Sequence, residues 1–273
     1  MLPTSNSVIA SRHTKAIAAA ALIVSLAACS SSDSNPSTVM NSGNTDTTDT
    51  TTDSEMQTGG NGTGDTGNEQ SVNTQTETEA RYRITFDANW LPESHPVLYP
   101  AGAHFSGLVG SVHNEQVVFW EPGQIATNGI ELMAETGAKT LFIDEVNAAI
   151  EDGRALSLID GSGIGSGDGS ASIEVTVSTQ YPQITVTSML APSPDWFVGL
   201  HNVPLFDGTD FLDEFTVDAL LYDAGTDSGT QYQSANNDTQ PRDIIALTTS
   251  DASDTSFVQG GPMLGQFIVE RLP

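Results

Sequence analysis

Ser172-Ile173-Glu174-Val175-Thr176-Val177-Ser178-Thr179-Gln180-Tyr181-Pro182-Gln183-Ile184-Thr185-Val186-Thr187-Ser188-Met189 alternates apolar and polar side chains on both sides of a Gln-Tyr-Pro break. A period of two is what a strand with one buried face produces, so Ile173, Val175 and Val177 share a face. Beyond the turn, either Ile184, Val186 and Ser188 or Thr185, Thr187 and Met189 continue on a partner strand, which predicts a β-hairpin. Working outward, Tyr82, Ile84 and Phe86 alternate with Arg83, Thr85 and Asp87 in the same way. Trp196 to Leu200, Phe215 to Tyr222, Ile244 to Thr248 and Gln266 to Arg271 read as further strands, and so does Val117 to Trp120, closed by the turn Glu121-Pro122-Gly123. A Pro-, Gly- and His-rich loop fills the space between the first strand and that one. Many short strands separated by turn residues specify a mostly β domain, an antiparallel β-sandwich. A short helical excursion interrupts the strands. Gly129 to Glu135 turns Leu132 and Met133 inward, and Lys139 to Glu151 places Leu141, Phe142, Glu145, Val146, Ala149 and Ile150 on neighbouring turns before Gly153.

The chain ahead of residue 80 has a different composition. Residues 1–28 carry Arg12 and Lys15, no acidic residue, and an uncharged run from Ala16 to Ala28. That run is shorter than the roughly 20 residues a membrane-spanning helix needs, and it fits the core of a signal peptide. It ends in Leu26-Ala27-Ala28-Cys29, and Cys29 is the only cysteine of the 273 residues. This arrangement resembles the lipobox of bacterial lipoproteins, which implies lipidation at Cys29 and a tethered rather than membrane-spanning protein. Ser30 after the cysteine resembles the pattern of lipoproteins sent to an outer membrane, which places the protein in the bacterial cell envelope, periplasmic or surface-exposed. With that cysteine lipidated, the mature chain has no disulfide to form.

Residues 29–79 are Ser, Thr, Asn, Gly and acid, with no Lys or Arg and almost nothing apolar. Such a segment buries too little surface to offset its ordering entropy and is expected to be a disordered tether spanning on the order of 40 Å as a coil. The whole chain carries 35 acidic residues against eight Lys and Arg, a formal net charge of −27. Even without the tether, the domain at 80–273 is strongly acidic. That balance excludes nucleic acid and docking on anionic lipid headgroups, and it suits cations and basic partners.

Two loops concentrate the candidate chemistry. Ser193-Pro194-Asp195-Trp196-Phe197-Val198-Gly199 and Asp223-Ala224-Gly225-Thr226-Asp227-Ser228-Gly229 place three carboxylates at the ends of apolar strands. If Asp195, Asp223 and Asp227 converge, charges so placed require a hard cation, and oxygen ligands favour Ca2+. On spacing alone, the commoner role of a loop Asp is to cap its own turn. Gly161 to Gly169 has neither the GxGxxG spacing nor the Lys of a phosphate loop and reads as a flexible connector. His95, His104 and His113, with Ser106 and Ser111, leave open a secreted hydrolase, although no Gly-x-Ser-x-Gly elbow or His-Glu-x-x-His helix is present. Glu131 and Glu135, four apart on one helix, are candidate partner contacts or simply a solvated face.

Both Asp-bearing motifs resemble the spondin domain of F-spondin and mindin. So do Tyr82 to Phe86, Ala103-His104-Phe105-Ser106, Val112-His113-Asn114, Gly129 to Glu135 and Phe267 to Leu272. The resemblance implies a calcium-binding β-sandwich whose metal-binding Asp residues fall on Asp195, Asp223 and Asp227. Together with the lipobox and the acidic tether it points to a surface-anchored adhesion or ligand-binding module and not an enzyme, with an unknown protein or glycan as its partner at the cell surface. A passive envelope lipoprotein is the alternative of a third kind. The thrombospondin repeats and disulfides of the animal proteins have no counterpart in this sequence.

Overall fold

The computed structural model describes residues 77–96, 99–248 and 263–273, all within the unit Glu69–Pro273 into which the chain divides. The expected signal peptide, Cys29 and the tether up to residue 76 lie outside the described residues. The first strand is β1 (Glu79–Asn89), where Tyr82, Ile84 and Phe86 are buried and Arg81 and Asp87 are exposed, as the alternation predicts. Then come β2 (His104–Phe105), β3 (Val109–His113), helices α1 (Asn128–Thr136) and α2 (Thr140–Glu151), and β4 (Ala155–Asp160). The remaining strands are β5 (Asp168–Ser178), β6 (Gln183–Ala191), β7 (Trp196–Pro204), β8 (Glu214–Asp223), β9 (Ala246–Leu247) and β10 (Met263–Leu272).

One hydrogen-bonded path runs β4-β3-β6-β7-β8-β10-β1-β5, with β2 added to β6 and β9 to β8. The pairings between these strands are antiparallel. Strand β8 is the corner: residues such as Thr216 and Asp218 pair with β10, whereas Leu221, Tyr222 and Asp223 pair with β7. The two halves of the path close over a shared core. Ile84 and Phe86 of β1 and Phe267 of β10 meet Ile184, Val186, Trp196 and Val198 of the other half there. Phe86 anchors it, edge-on to Phe105 and stacked on Phe267 with centroids 4.8 and 4.9 Å apart. The opposite face of β6 and β7 carries Met189 and Phe197, which are covered by Ile130, Met133, Phe142 and Val146 of the helices. Strand β6 is therefore buried along nearly its whole length.

That double burial explains the first departure from expectation. β5 and β6 do not form a hairpin: β5 pairs with β1, while β6 pairs with β3 and β7. The Gln180-Tyr181-Pro182 turn carries the chain from one layer of the sandwich to the other, because both faces of β6 are buried, Thr185 and Thr187 included, and the strand belongs in the middle of the three layers. Val117 to Trp120 is not a strand either. Its aromatic residues instead roof the helical core, Phe119 against Phe142 and Trp120 against Phe197. Strands β3 and β4 carried no clear alternation, since β3 is buried at every position. Leu141 faces outward, 42% exposed, and Leu132 is only half-buried.

The helices are placed by local chemistry. Thr127 caps α1, its hydroxyl oxygen accepting from Ile130 N at 3.2 Å and its proton going to Glu145 Oε2 at 2.8 Å. Glu145 Oε1 accepts from Gly129 N at 2.7 Å, so α2 satisfies a second amide at the start of α1. Thr127→Ala should cost about 1 kcal/mol, read as a melting temperature lowered by about 2–4 °C with little change in fold.

Candidate metal centre

Asp195 is the residue just before β7, and its neighbour Trp196 pairs with Asp223 at the end of β8. The loop is shaped by Ser193, whose hydroxyl donates to Leu190 O at 2.5 Å and accepts from Trp196 N at 3.1 Å. Ala224 N then donates to Asp195 O at 3.1 Å, closing the two loops on each other. Asp195 has no exposed surface. Its Oδ2 accepts from Thr226 N at 2.7 Å, Asp227 N at 3.0 Å and the Thr226 hydroxyl at 3.3 Å. Its Oδ1 is buried and accepts no hydrogen bond.

The other two carboxylates are also partly committed. Asp223 Oδ1 accepts from Gly225 N at 2.8 Å and Oδ2 from Trp196 Nε1 at 3.3 Å. Asp227, 5% exposed, accepts from Gly229 N at 2.7 Å and Asn237 N at 2.9 Å. The turn-capping role weighed from spacing is thus real for Asp223 and Asp227, each of which bonds the amide two residues on. Their charges nevertheless act on one another. Burial and then the neighbouring Asp223 push the Asp195 carboxyl up to about 7. Asp223 is likewise raised, chiefly by burial, with Asp243 and Asp227 adding to it. Among the described residues, no three His, Cys, Asp or Glu side chains form a group that could hold a metal by themselves. Among the described residues the arrangement supplies only oxygen: one orphaned carboxylate oxygen, further carboxylates beside it, and no cationic side chain bonded to Asp195. A hard cation that completes its shell with carbonyls and water fits that donor set; a metal preferring nitrogen or sulfur does not.

The residues of the hydrolase alternative are dispersed and occupied. His113 is buried, and its Nδ1 donates to Asn114 O at 2.8 Å, which leaves Nε2 to accept from the Thr185 hydroxyl at 2.8 Å. Thr185 Oγ1 in turn accepts from Asn202 N at 3.1 Å, fixing the irregular stretch of β7 where Asn202 has φ 50°. Burial lowers the His113 pKa, as a neutral, structural imidazole requires. His104 is exposed, with Nδ1 at 2.7 Å from Gly102 O, and His95 Nδ1 lies 2.9 Å from Ser94 Oγ. Ser106 Oγ accepts from Met189 N, and the Ser111 hydroxyl donates to backbone carbonyls.

Glu131 and Glu135 are both half-buried. Glu131 is ion-paired with Arg242, which also donates to Ala126 O and Asn128 Oδ1, each at 2.9 Å. Glu135 is half-buried, and that burial pushes its carboxyl up, with the negative charges of Glu131, Asp227 and Asp238 adding to it. Sequence reasoning missed Thr226, Arg242 and the segment from Asn237 to Ile245 that borders the Asp loop. An Arg among eight basic residues, placed shortly after that loop, was the available signal.

The fold is an antiparallel β-sandwich with three loop-borne carboxylates, Asp195, Asp223 and Asp227, at one end. The family model for Spondin_N matches residues 80–259, and the chain belongs to that family. It is 33% identical to human Spondin-2 over 177 residues, covering 63% of this chain and 54% of that protein. Rat Spondin-2 is 31% identical with the same coverage. Spondin-1 of Xenopus laevis is 32% identical over 205 residues, or 71% of this chain but 25% of that protein. The chain therefore spans about half the length of the Spondin-2 proteins and a quarter of Spondin-1. No helix among the described residues is long and apolar enough to cross a membrane.

Proposed function

We propose that this protein is an adhesion or ligand-binding module of the cell surface whose binding end is organised by Ca2+ at Asp195, Asp223 and Asp227. The observation that carries the reading is the buried Asp195 carboxylate with one oxygen unpartnered and another carboxylate beside it. An uncompensated buried charge costs several kcal/mol, and a chain retains it where a cation removes the cost. The cation would supply the missing charge and hold the Asp195 and Asp223–Gly229 loops as one rigid surface. The lipobox at Cys29 and the acidic segment after it support presentation from the outer membrane on a long tether, and the acidity of the domain favours a basic or cation-bridged protein or glycan partner.

Calorimetric titration of the protein with calcium tests this. The expected result is saturable binding with a higher melting temperature, and its loss in Asp223→Ala and Asp227→Ala. A melting temperature indifferent to calcium and to chelator rules the metal out. Binding of cells, matrix proteins or glycans only when calcium is present then supports the adhesion role, whereas no binding in any of these arms supports a passive envelope component.

A further inference from the structure

The end of the sandwich opposite the Asp195 and Asp223–Gly229 loops holds a cavity of about 330 Å³. It lies between two turns. One is Asn114-Glu115-Gln116, which follows β3; the other runs from Thr179 to Gln183 and joins β5 to β6. The pairing of His113 with Gln183 brings the two together. Strand β6 runs away from this point for nine residues before the Asp195 loop begins. The cavity and the candidate metal centre therefore stand roughly 26 Å apart.

The walls are braced before anything binds. Gly153 O, just beyond α2, accepts from the Tyr181 hydroxyl at 3.2 Å and from Asn114 Nδ2 at 3.4 Å, so one carbonyl holds both turns. Asn114 Oδ1 accepts from Gln116 N at 2.9 Å and closes the first turn. In the second, Tyr181 N donates to Ser178 O and Thr179 N to Thr78 O, each at 3.0 Å, and Pro182 O accepts from Leu205 N at 2.7 Å. Walls held in this way lose little further freedom when a ligand enters.

The lining chemistry is narrow. Gln116, Gln180 and Gln183, three of the nine glutamines in residues 80–273, line this one cavity. Among the described residues, no hydrogen bond engages their side chains. Each carboxamide offers two donor hydrogens and an acceptor oxygen without titrating. Glu115 adds a carboxylate, Thr179 a hydroxyl and Pro182 an apolar ring. Among the described residues, no Lys, Arg or His lines the cavity, so nothing there neutralises a phosphate, sulfate or carboxylate. One carboxylate falls short of the oxygen shell that a hard cation needs. What remains is a neutral ligand rich in hydroxyls, whose paired donors and acceptors the carboxamides and Glu115 can meet. The volume is at the lower end of small-molecule sites, about 300 to 1,000 Å³, and suits one sugar ring rather than an extended chain.

We infer that this cavity binds a neutral sugar residue independently of calcium, with Gln180 and Gln183 of the braced turn as its main hydrogen-bonding contacts. The site is separate from the cation-organised end and does not rest on it.

Saturation-transfer NMR and calorimetric titration of the full chain with glucose, galactose and N-acetylglucosamine test it, each run with calcium and with chelator. At least one should bind saturably with a Kd on the order of 1 mM, the strength that a ligand of about a dozen heavy atoms reaches in an open site. Sialic acid, which carries a carboxylate, should not bind. Gln180→Ala and Gln183→Ala should each weaken binding about three- to tenfold, the loss of one or two neutral hydrogen bonds, and leave the melting temperature unchanged. Asp223→Ala, at the other end, should bind sugar as the natural protein does. No saturable binding of any of the three sugars overturns the inference. So does binding that both glutamine variants retain in full, that chelator abolishes, or that sialic acid shares. The calcium titration is read separately, so failure here leaves the Asp195 site standing.

Discussion

Asp195→Asn should make the metal-free protein more stable at pH 8 while abolishing its response to calcium. The two effects have opposite sign because the same carboxylate is a liability in one state and a ligand in the other. Asparagine keeps the acceptor that Thr226 and Asp227 require at Oδ2 and turns its amide hydrogens toward the position of the orphaned Oδ1, beside Asp223. Removing the buried charge should stabilise the metal-free fold by about 2 kcal/mol, or roughly 4–8 °C in a domain of this size. Asp195→Ala should instead leave those buried amides unsatisfied and lower the melting temperature with or without calcium.

The pH dependence follows from the same group. With its folded pKa raised from 3.8 to about 7, Asp195 binds a proton in the folded state over a range where the unfolded chain has released it. Metal-free stability should therefore fall as pH rises from about 4 to about 7 and change little from this group above that. Asp195→Asn should flatten that slope. Calcium affinity should rise over the same interval, because the cation competes with the proton. A metal-free melting temperature that rises steadily between pH 5 and pH 7, or that drops in Asp195→Asn at pH 8, would show that the carboxylate is not buried as charge.

Gly225→Ala should produce the largest loss among loop substitutions that leave every carboxylate in place. Gly225 has φ +72°, and an added Cβ would lie 2.5 Å from Asp243 O. Left-handed backbone costs an L-residue about 1–2 kcal/mol, and here the segment from Asn237 to Ile245 cannot retreat, because Asp243 N is bonded to Gly225 O at 2.8 Å. The expected cost is about 3 kcal/mol or more, a drop of roughly 6–12 °C, accompanied by weaker calcium binding. Differential scanning calorimetry with and without calcium separates the two parts. An unchanged melting temperature would mean that the Asp223–Gly229 loop and the Asn237–Ile245 segment are not joined through Gly225 and Asp243.

Not every feature of the fold was equally legible from residues alone. β1, β8 and β10 could be read because each buries one face, so period two survives in the sequence. β3 and β6 are covered on both sides: β3 shows no alternation, and in β6 the Thr185 and Thr187 face that reads as solvent-facing is buried, so their partners could not be inferred. Val117 to Trp120 shows the reverse error: aromatic and β-branched residues mimic a strand, yet here they roof the helices. Gly199 illustrates what only packing reveals. A Cβ there would fall 2.5 Å from Val186 O of the paired strand and 2.8 Å from the Trp120 ring that roofs it, so that glycine is required by close approach of its neighbours rather than by a turn.

By itself the sequence determined the antiparallel β class, the helical excursion and which carboxylates stand at strand ends, because periodicity and turn chemistry are local properties. Tertiary structure alone decided that β5 and β6 part company across the sandwich, that one oxygen of Asp195 is left buried without a donor, and that Thr226 and Arg242 border the Asp loops. Those outcomes depend on which distant segments are brought within hydrogen-bonding distance. Burial, orphaned polar atoms and like-charge proximity exist only once the chain has closed on itself.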